Sequence, residues 1–207
     1  MNLLNEFWHF EGVINSETCD KLLDLKKENE FTKGVVADKK TENSEDFEKI
    51  DSKTKIRKSN IFWVNEQWVY DLVTPLVAAA NENAKWNFQI DAAEPAQFTE
   101  YTKDGHYDWH RDAYKQPFKN HVDVANGKIR KLSVTISLTD SKDYTGGDLE
   151  FAHLEPDETK KKIFHKDGFR KRGSVIVFPS FVWHRVTPVL SGVRDSIVIW
   201  YLGNPFV

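Results

Sequence analysis

The sequence has little of what marks secreted or membrane proteins. Cys19 is the only cysteine among 207 residues, which excludes an internal disulfide and a thiolate zinc site and favours a reducing compartment. No stretch approaches the ~20 consecutive apolar residues that a membrane-spanning helix needs. The first residues lack the basic flank and apolar run of a signal peptide. We therefore expect a soluble, cytoplasmic protein.

A strong charge of either sign is also absent. The 29 basic and 32 acidic residues leave a net charge of −3, so no overall field favours nucleic acid or an anionic membrane. One basic run, Lys160–Arg172, is interpreted as a solvated hairpin. Hydrophobic residues make up 40% of the chain and aromatic residues 13%, which is typical of a globular protein. The length predicts a single domain over residues 1–207.

Helical apolar spacing occurs early in the chain. It predicts a helix from about Glu17 to Asn29, capped by Ser16, and a second from about Gln67 to Ala84. Pro75 predicts a kink or a break in the second helix. Between the helices, Thr32–Ser59 is rich in charged and small polar residues, so we interpret it as a solvated surface loop. A lid or a substrate-binding segment is the second interpretation.

The pattern then changes from a helical part, about residues 1–90, to a strand-rich core, about residues 91–207. Alternation with period two predicts six strands: Ala96–Tyr101, Leu132–Leu138, Asp148–Phe151, Ser174–Phe178, Val182–Val186 and Ser196–Tyr201. Gly146-Gly147 is interpreted as a turn that leads into one of these strands. The expected fold class is α+β, with a double-stranded β-helix (jelly roll) core buttressed by the N-terminal helices.

A segment rich in histidine and aspartate follows the first predicted strand. In an extended chain alternate side chains share a face, so a His and an Asp two positions apart project together. Two imidazoles and one carboxylate on one face of a metal leave three positions open, as in non-haem Fe(II) oxygenases. The segment offers two such pairs, His106/Asp108 and His110/Asp112. Spacing alone does not choose between them.

A further histidine and an arginine follow near the end of the chain. An apolar strand runs into Pro179-Ser180, the next strand carries His184, and the chain can reverse near Ser191-Gly192. In a hairpin that turns there, His184 and Arg194 share a face and lie ~13 Å apart at ~3.3 Å per residue. A guanidinium at that distance suits bidentate binding of the far carboxylate of a five-carbon diacid.

These motifs resemble those of a known enzyme family. In chain order they are Gly105-His-Tyr-Asp-Trp-His110-Arg-Asp112, Gly146-Gly147-Asp-Leu-Glu-Phe151, Phe178-Pro-Ser, His184-Arg-Val-Thr-Pro-Val189 and Gly192-Val-Arg194. Over about Ile56 to Tyr201 the chain looks like the prolyl 4-hydroxylase branch of the Fe(II)/2-oxoglutarate-dependent dioxygenases, in a bacterial and phage-type subgroup that has Arg where many relatives have Lys.

The resemblance implies that His110, Asp112 and His184 bind iron. It selects this His-x-Asp pair because an aromatic-Asp-Trp run precedes it. Arg194 is implied to bind the distal carboxylate of 2-oxoglutarate. Tyr101, nine residues before the first ligand, is implied to hydrogen-bond this co-substrate. The implied cofactors are Fe(II), 2-oxoglutarate and O2, with ascorbate as the reductant.

The substrate is less constrained than the metal. Trp109 and Trp183 flank the ligands and are candidates for the substrate pocket together with Arg57, although packing is the simpler role for the two tryptophans. The resemblance implies hydroxylation of a prolyl residue in a peptide or protein, with succinate and CO2 as co-products. The same chemistry also suits a free amino acid, a small metabolite or a nucleic acid, and the acidic balance argues against the last. A non-catalytic jelly-roll binding module is the alternative of another class.

Overall fold

The fold is that of a computed structural model, which describes residues 5–34, 56–114, 116–119, 124–154 and 161–206. Helix α1 spans Ser16–Asp24 and continues as a 3-10 turn over Leu25–Lys27, and α2 spans Gln67–Asn83. A short 3-10 turn also occurs at Asp167–Arg170. No helix in the described part of the chain is both long and apolar enough to cross a membrane.

The strands form two antiparallel sheets and one ribbon. They are β1 Trp8–Phe10, β2 Thr32–Lys33, β3 Arg57–Lys58, β4 Asn60–Val64, β5 Ala92–Ala93, β6 Ala96–Tyr101, β7 His106–His110, β8 Ile129–Ser137, β9 Tyr144–Gly146, β10 Leu149–Leu154, β11 Lys161–Phe164, β12 Val175–Pro179, β13 Trp183–Val186, β14 Val189–Gly192 and β15 Arg194–Gly203. The larger sheet has the order β1-β12-β8-β15-β6-β4-β2, with β5 paired to β15, and the smaller has the order β11-β10-β13-β7-β3. Strands β14 and β9 form the ribbon. The result is a jelly-roll-type core.

The two helices differ slightly from their predicted forms. The cap of α1 is Asn15, whose side chain accepts a hydrogen bond from the Thr18 N–H, so Ser16 is the first helical residue and not the cap. Helix α2 runs unbroken through Pro75. Buried residues on both sides of Pro75, including Val69 and Val77, hold the two halves in the core, and the one missing backbone hydrogen bond does not end the helix.

One hydrophobic cluster joins the helices to the larger sheet. It contains Cys19 and Leu22 of α1, the buried face of α2, and the strand residues Phe98, Leu132, Val134, Ile136, Val175, Val177, Ile197 and Ile199. Full burial of a Val, Leu, Ile or Phe side chain contributes roughly 1.5–3 kcal/mol to the stability of the fold. A second cluster, around Phe151, Phe169, Ile176 and Phe178, reaches the smaller sheet. Its aromatic rings lie beside the site described below.

The first 90 residues contribute strands as well as helices. Strands β1 to β4 lie in this part of the chain, so the expected division into a helical and a strand-rich part is not sharp. The predicted surface loop Thr32–Ser59 is incorrect at its ends, where β2 and β3 pair with the sheets and Arg57 and Ser59 are buried. Its middle, residues 35–55, lies outside the described residues. Each of the six predicted strands overlaps an observed strand.

The last three residues of the basic run have their charges paired with acidic side chains. Arg170, Lys171 and Arg172 form ion pairs with three separate carboxylates, those of Asp148, Glu11 and Asp20. These contacts hold the segment after β11 against the helix α1 region and the turn between β9 and β10.

Candidate metal centre

Three metal-binding side chains converge on the smaller sheet. His110 ends β7 and His184 lies in β13, and the two residues are directly paired in the antiparallel register. Asp112 follows two residues after His110. One ligand atom from each of the three residues lies within 4.8 Å of the other two, and no other such group of His, Cys, Asp and Glu occurs among the residues that the structure describes.

Backbone carbonyls set the proton positions on the two imidazoles. His110 Nδ1 lies 2.7 Å from the Asp108 carbonyl, and His184 Nδ1 lies 3.0 Å from the Val182 carbonyl. A carbonyl oxygen only accepts hydrogen bonds, so Nδ1 carries the proton in both rings and Nε2 keeps its lone pair. The Nε2 atoms of His110 and His184 lie 3.6 and 3.5 Å from the Asp112 carboxylate oxygens.

Burial and the neighbouring groups favour the metal-binding forms of His184 and Asp112. Burial and then the His110 ring lower the pKa of His184 to about 4, against the opposing effect of the carboxylate. Burial alone raises the pKa of Asp112, but His184 and His110 outweigh it and hold this pKa well below its usual range. At neutral pH His184 is therefore a neutral imidazole and Asp112 a charged carboxylate. This donor set fits Fe(II).

The competing His-x-Asp pair does not take part. Asp108 is exposed, and its carboxylate accepts a hydrogen bond from the Trp109 N–H. His106 Nδ1 lies 2.9 Å from the Asp104 carbonyl. The pair therefore lies outside the group formed by His110, Asp112 and His184.

A cavity of about 460 Å³ opens beside the three ligands. Its walls come from both sheets and include the predicted residues Arg57, Tyr101 and Arg194. This volume is within the range of small-molecule pockets. The metal-binding group and the predicted co-substrate residues thus share one cavity.

Arg194 is a buried cation in the wall of this cavity. It begins β15 opposite Tyr101 in β6, and its guanidinium carbon lies 5.4 Å from the Tyr101 ring centroid. One guanidinium nitrogen donates to Ser196 Oγ over 3.2 Å. Among the described residues no carboxylate forms an ion pair with it. The guanidinium is therefore available to an anion in the cavity.

The predicted hairpin between His184 and Arg194 is wrong. His184 belongs to the smaller sheet and Arg194 to the larger one, and the intervening β14 pairs with β9. Gly192, at φ +78°, packs closely against the start of β9. An added Cβ would lie 2.1 Å from the carbonyl oxygen of Asp143, the residue before this strand, and 2.8 Å from Tyr144 Cα. The chain therefore crosses between sheets here, and the two residues share a cavity, not a strand ladder.

The three candidate substrate residues differ in position. The buried Arg57 lines the cavity, where it donates to Gln97 Oε1 over 2.7 Å and to Ser59 Oγ over 2.8 Å. Trp183 alternates with His184 along β13 and so points to the opposite face of the sheet. On that face Arg185 stacks on Trp109. Neither tryptophan is in the cavity lining, which agrees with packing as their simpler role and not with the pocket alternative.

Sequence reasoning missed three other polar residues at the site. Arg130 and Glu94 line the cavity as a bidentate pair, with nitrogen–oxygen distances of 2.5 and 2.6 Å. Ser133 donates a hydrogen bond to Asp112 Oδ2 over 2.7 Å. These contacts join residues between 21 and 36 positions apart, and no local motif marks them.

Two histidines and one aspartate lie around one cavity of a jelly-roll-type core, with a buried arginine that forms no ion pair among the described residues. This arrangement matches a non-haem Fe(II) oxygenase site. The comparison with family models agrees. The model of the 2OG-Fe(II) oxygenase superfamily matches residues 96–202, just over half of the chain. The chain belongs to this superfamily, as predicted, and the family's cofactors are Fe(II), 2-oxoglutarate and O2.

Relatives by sequence are bacterial hydroxylases. A PKHD-type hydroxylase of Synechococcus sp. (strain CC9311) is 36% identical over 99 residues, which cover 47% of this chain and 37% of that protein. A PKHD-type hydroxylase of Alteromonas mediterranea is 33% identical over 106 residues, which cover 51% of this chain and 42% of that protein. The chain therefore matches less than half the length of these curated relatives.

Solved structures extend the likeness to the whole fold. A prolyl hydroxylase from Trichoplax adhaerens, in complex with a hypoxia inducible factor oxygen degradation domain peptide fragment, has a TM-score of 0.65 at 20% identity and covers 96% of this chain and 84% of its own. At this identity the likeness establishes the fold only.

Proposed function

We propose that this protein is an Fe(II)- and 2-oxoglutarate-dependent dioxygenase that hydroxylates a prolyl residue in a peptide or protein. The observation that carries the proposal is that His110, Asp112 and His184 line the same cavity as Arg194, which forms no ion pair among the described residues. His110, Asp112 and His184 would hold the iron. When bound, the iron supplies oxygen activation coupled to decarboxylation of 2-oxoglutarate to succinate and CO2, with ascorbate as the reductant.

The protein residues orient the co-substrate in this scheme. Arg194 binds the distal carboxylate, because a planar guanidinium pairs with a carboxylate through two parallel hydrogen bonds. Tyr101, which faces Arg194 across the β6–β15 pairing, places its hydroxyl on the same ligand. Both side chains are buried, so water competes little with these contacts.

The remaining cavity wall suits an amphipathic substrate such as a prolyl peptide. Trp63 and Trp200 provide apolar surface, and Trp63 is half exposed. The buried Trp200 ring packs against the Arg130 guanidinium, whose carbon lies 3.9 Å from the ring centroid. Arg57 provides further donors on the facing wall. The prolyl hydroxylase names of similar structures support this substrate class.

The packing also supports a structural role for the two helices. Their buried residues share one cluster with the strands of the larger sheet that carry Tyr101 and Arg194. We infer that α1 and α2 buttress this sheet from the side opposite the cavity.

The test is turnover by the full chain with Fe(II), ascorbate, O2 and 2-oxoglutarate. Succinate release is followed with a panel of proline-containing peptides, free amino acids included, and mass spectrometry detects addition of one oxygen atom to the substrate. An oxidised free amino acid with unmodified peptides would favour the small-molecule alternative. Peptide binding without succinate would favour the binding module.

Asp112→Ala should abolish turnover, because it removes the charged ligand between the two histidines. Asp108→Ala is the matched control, since it removes the exposed aspartate of the competing pair, and it should keep most of the activity. Full activity of Asp112→Ala, or complete loss in Asp108→Ala alone, would contradict the assignment.

A further inference from the structure

A chain of two buried hydroxyls ends on the Asp112 carboxylate. Ser133 lies in β8 and Ser180 directly follows β12, and both residues are 0% exposed. Ser133 Oγ lies 2.7 Å from Asp112 Oδ2 and 2.9 Å from Ser180 Oγ. Neither serine is in the lining of the cavity, so neither is placed to contact co-substrate or substrate.

The direction of the hydrogen bonds follows from the number of protons. An ionised carboxylate only accepts, so the single hydroxyl proton of Ser133 points to Asp112. Ser180 then donates to Ser133. Both hydroxyl dipoles point toward the negative charge, and hydrogen bonds arranged in this way strengthen one another in a buried environment.

Backbone contacts tie the same serine to the neighbour of Asp112. The Ala113 N–H donates to the Ser180 carbonyl over 2.8 Å, and the Ser180 N–H donates to the Lys131 carbonyl over 3.0 Å. Asp112 follows a strand of the smaller sheet, whereas β8 and β12 belong to the larger sheet. The serine pair therefore fixes the carboxylate to the opposite sheet.

We propose that Ser133 and Ser180 are positioning residues that fix the orientation of the Asp112 carboxylate for the metal ion. This inference rests on the proposed function of the metal centre. Rotation of the carboxylate would break the Ser133 hydrogen bond and change its distances to the two Nε2 atoms. Ser133 acts directly on the carboxylate, and Ser180 acts through Ser133.

The test is the affinity of the metal-free full chain for Mn²⁺, measured by titration calorimetry in the absence of turnover. Loss of a group that hydrogen-bonds a metal ligand weakens metal binding by about 10- to 100-fold, so Ser133→Ala should fall in this range. Ser180→Ala should have a smaller effect. In a double variant that also carries Ser133→Ala, Ser180→Ala should not weaken Mn²⁺ binding further, because Ser180 acts on Asp112 only through Ser133.

Ser137→Ala is the matched control. Ser137 is a buried serine of the same strand that donates to the Phe169 carbonyl, away from the metal ligands, so its removal should leave Mn²⁺ affinity unchanged. Thermal unfolding of each metal-free variant establishes that it is folded before titration. If Ser133→Ala does not fold, Ser180→Ala still tests the inference, because an unchanged Mn²⁺ affinity in that variant would contradict it.

The Asp112→Ala variant distinguishes failure of the serine inference from failure of the proposed metal centre. Native Mn²⁺ affinity in Ser133→Ala, with affinity lost in Asp112→Ala, would contradict the serine inference and leave the metal centre standing. Native affinity in Asp112→Ala would contradict the metal centre itself. Independent, additive losses in the double variant, or an equal loss in Ser137→Ala, would show that the two serines do not act as a chain.

Discussion

Arg194 carries a buried positive charge that forms no ion pair with a carboxylate among the residues that the structure describes. A buried charge is costly unless it is paired and hydrogen-bonded, and here a neutral hydroxyl, that of Ser196, is its hydrogen-bond partner. Arg185, in contrast, pairs with Glu150 on the other face of the smaller sheet. An anionic ligand can therefore form an ion pair with Arg194 without displacing a carboxylate, whereas at Arg185 it would compete with Glu150.

We expect Arg194→Ala to raise the KM for 2-oxoglutarate by about 30-fold or more, because removal of one partner of a buried charge pair costs ~2 kcal/mol or more. Steady-state succinate release at varied 2-oxoglutarate measures this change. Arg185→Ala should leave the same KM within about threefold. A native co-substrate requirement in Arg194→Ala would remove Arg194 from the site.

At the scale of secondary-structure elements, the turn between β9 and β10 packs against the Arg194 side chain. Gly147 lies in this turn with φ +66°, a conformation that L-residues rarely adopt. A Cβ there would lie 2.9 Å from Val189 Cγ2 and 3.0 Å from Arg194 Cδ, so one of these side chains must move. The turn predicted from Gly146-Gly147 thus also leaves the space that the Arg194 side chain occupies.

Gly147→Ala should lower the free energy of unfolding by about 1–3 kcal/mol and raise the KM for 2-oxoglutarate. Denaturant titration and initial rates measure the two effects. Gly127→Ala is the matched control, because Gly127 has a similar φ of +77° and no atom within 4 Å of an added Cβ. It should share the backbone strain and leave KM unchanged, and an equal rise in KM would refute the contact with Arg194.

Local patterns predicted elements better than their pairing. The spacing of apolar residues placed α2 within one residue of its observed end, and β6 matches its prediction. Strand β2 was missed because a two-residue edge strand carries no periodic pattern. The prediction of a hairpin was wrong because the pairing of β14 with β9 depends on residues outside the segment 184–194. Motif context predicted His110, Asp112 and His184 as ligands, and the structure brings these residues together. Ser133, in contrast, is one serine in an apolar strand.

At the scale of the whole molecule, the cavity is held together from two sheets. The proposed metal ligands lie on or just beyond strands of the smaller sheet, whereas Tyr101 and Arg194 belong to the larger sheet. A metal ion with 2-oxoglutarate would therefore connect both sheets. Ligands that bind the folded chain and not the unfolded chain stabilise it according to their concentration.

Mn²⁺ with 2-oxoglutarate, each at about 100 times its Kd, should stabilise the fold by about 3 kcal/mol or more and raise the unfolding temperature by about 5–10 °C. Differential scanning fluorimetry measures the shift. Asp112→Ala should remove most of it and Asp108→Ala should not. Equal shifts in both variants would indicate that Mn²⁺ binds elsewhere.

The single thiol gives a direct view of how this core opens. Cys19 is fully buried in α1 among the residues that join the helices to the larger sheet, and burial raises the pKa of its thiol. Alkylating reagents can therefore react only when this part of the core opens, and the labelling rate reports how often that occurs. A cysteine introduced on the surface would be labelled selectively in the native chain, which suits the protein to site-specific fluorescent probes of substrate binding.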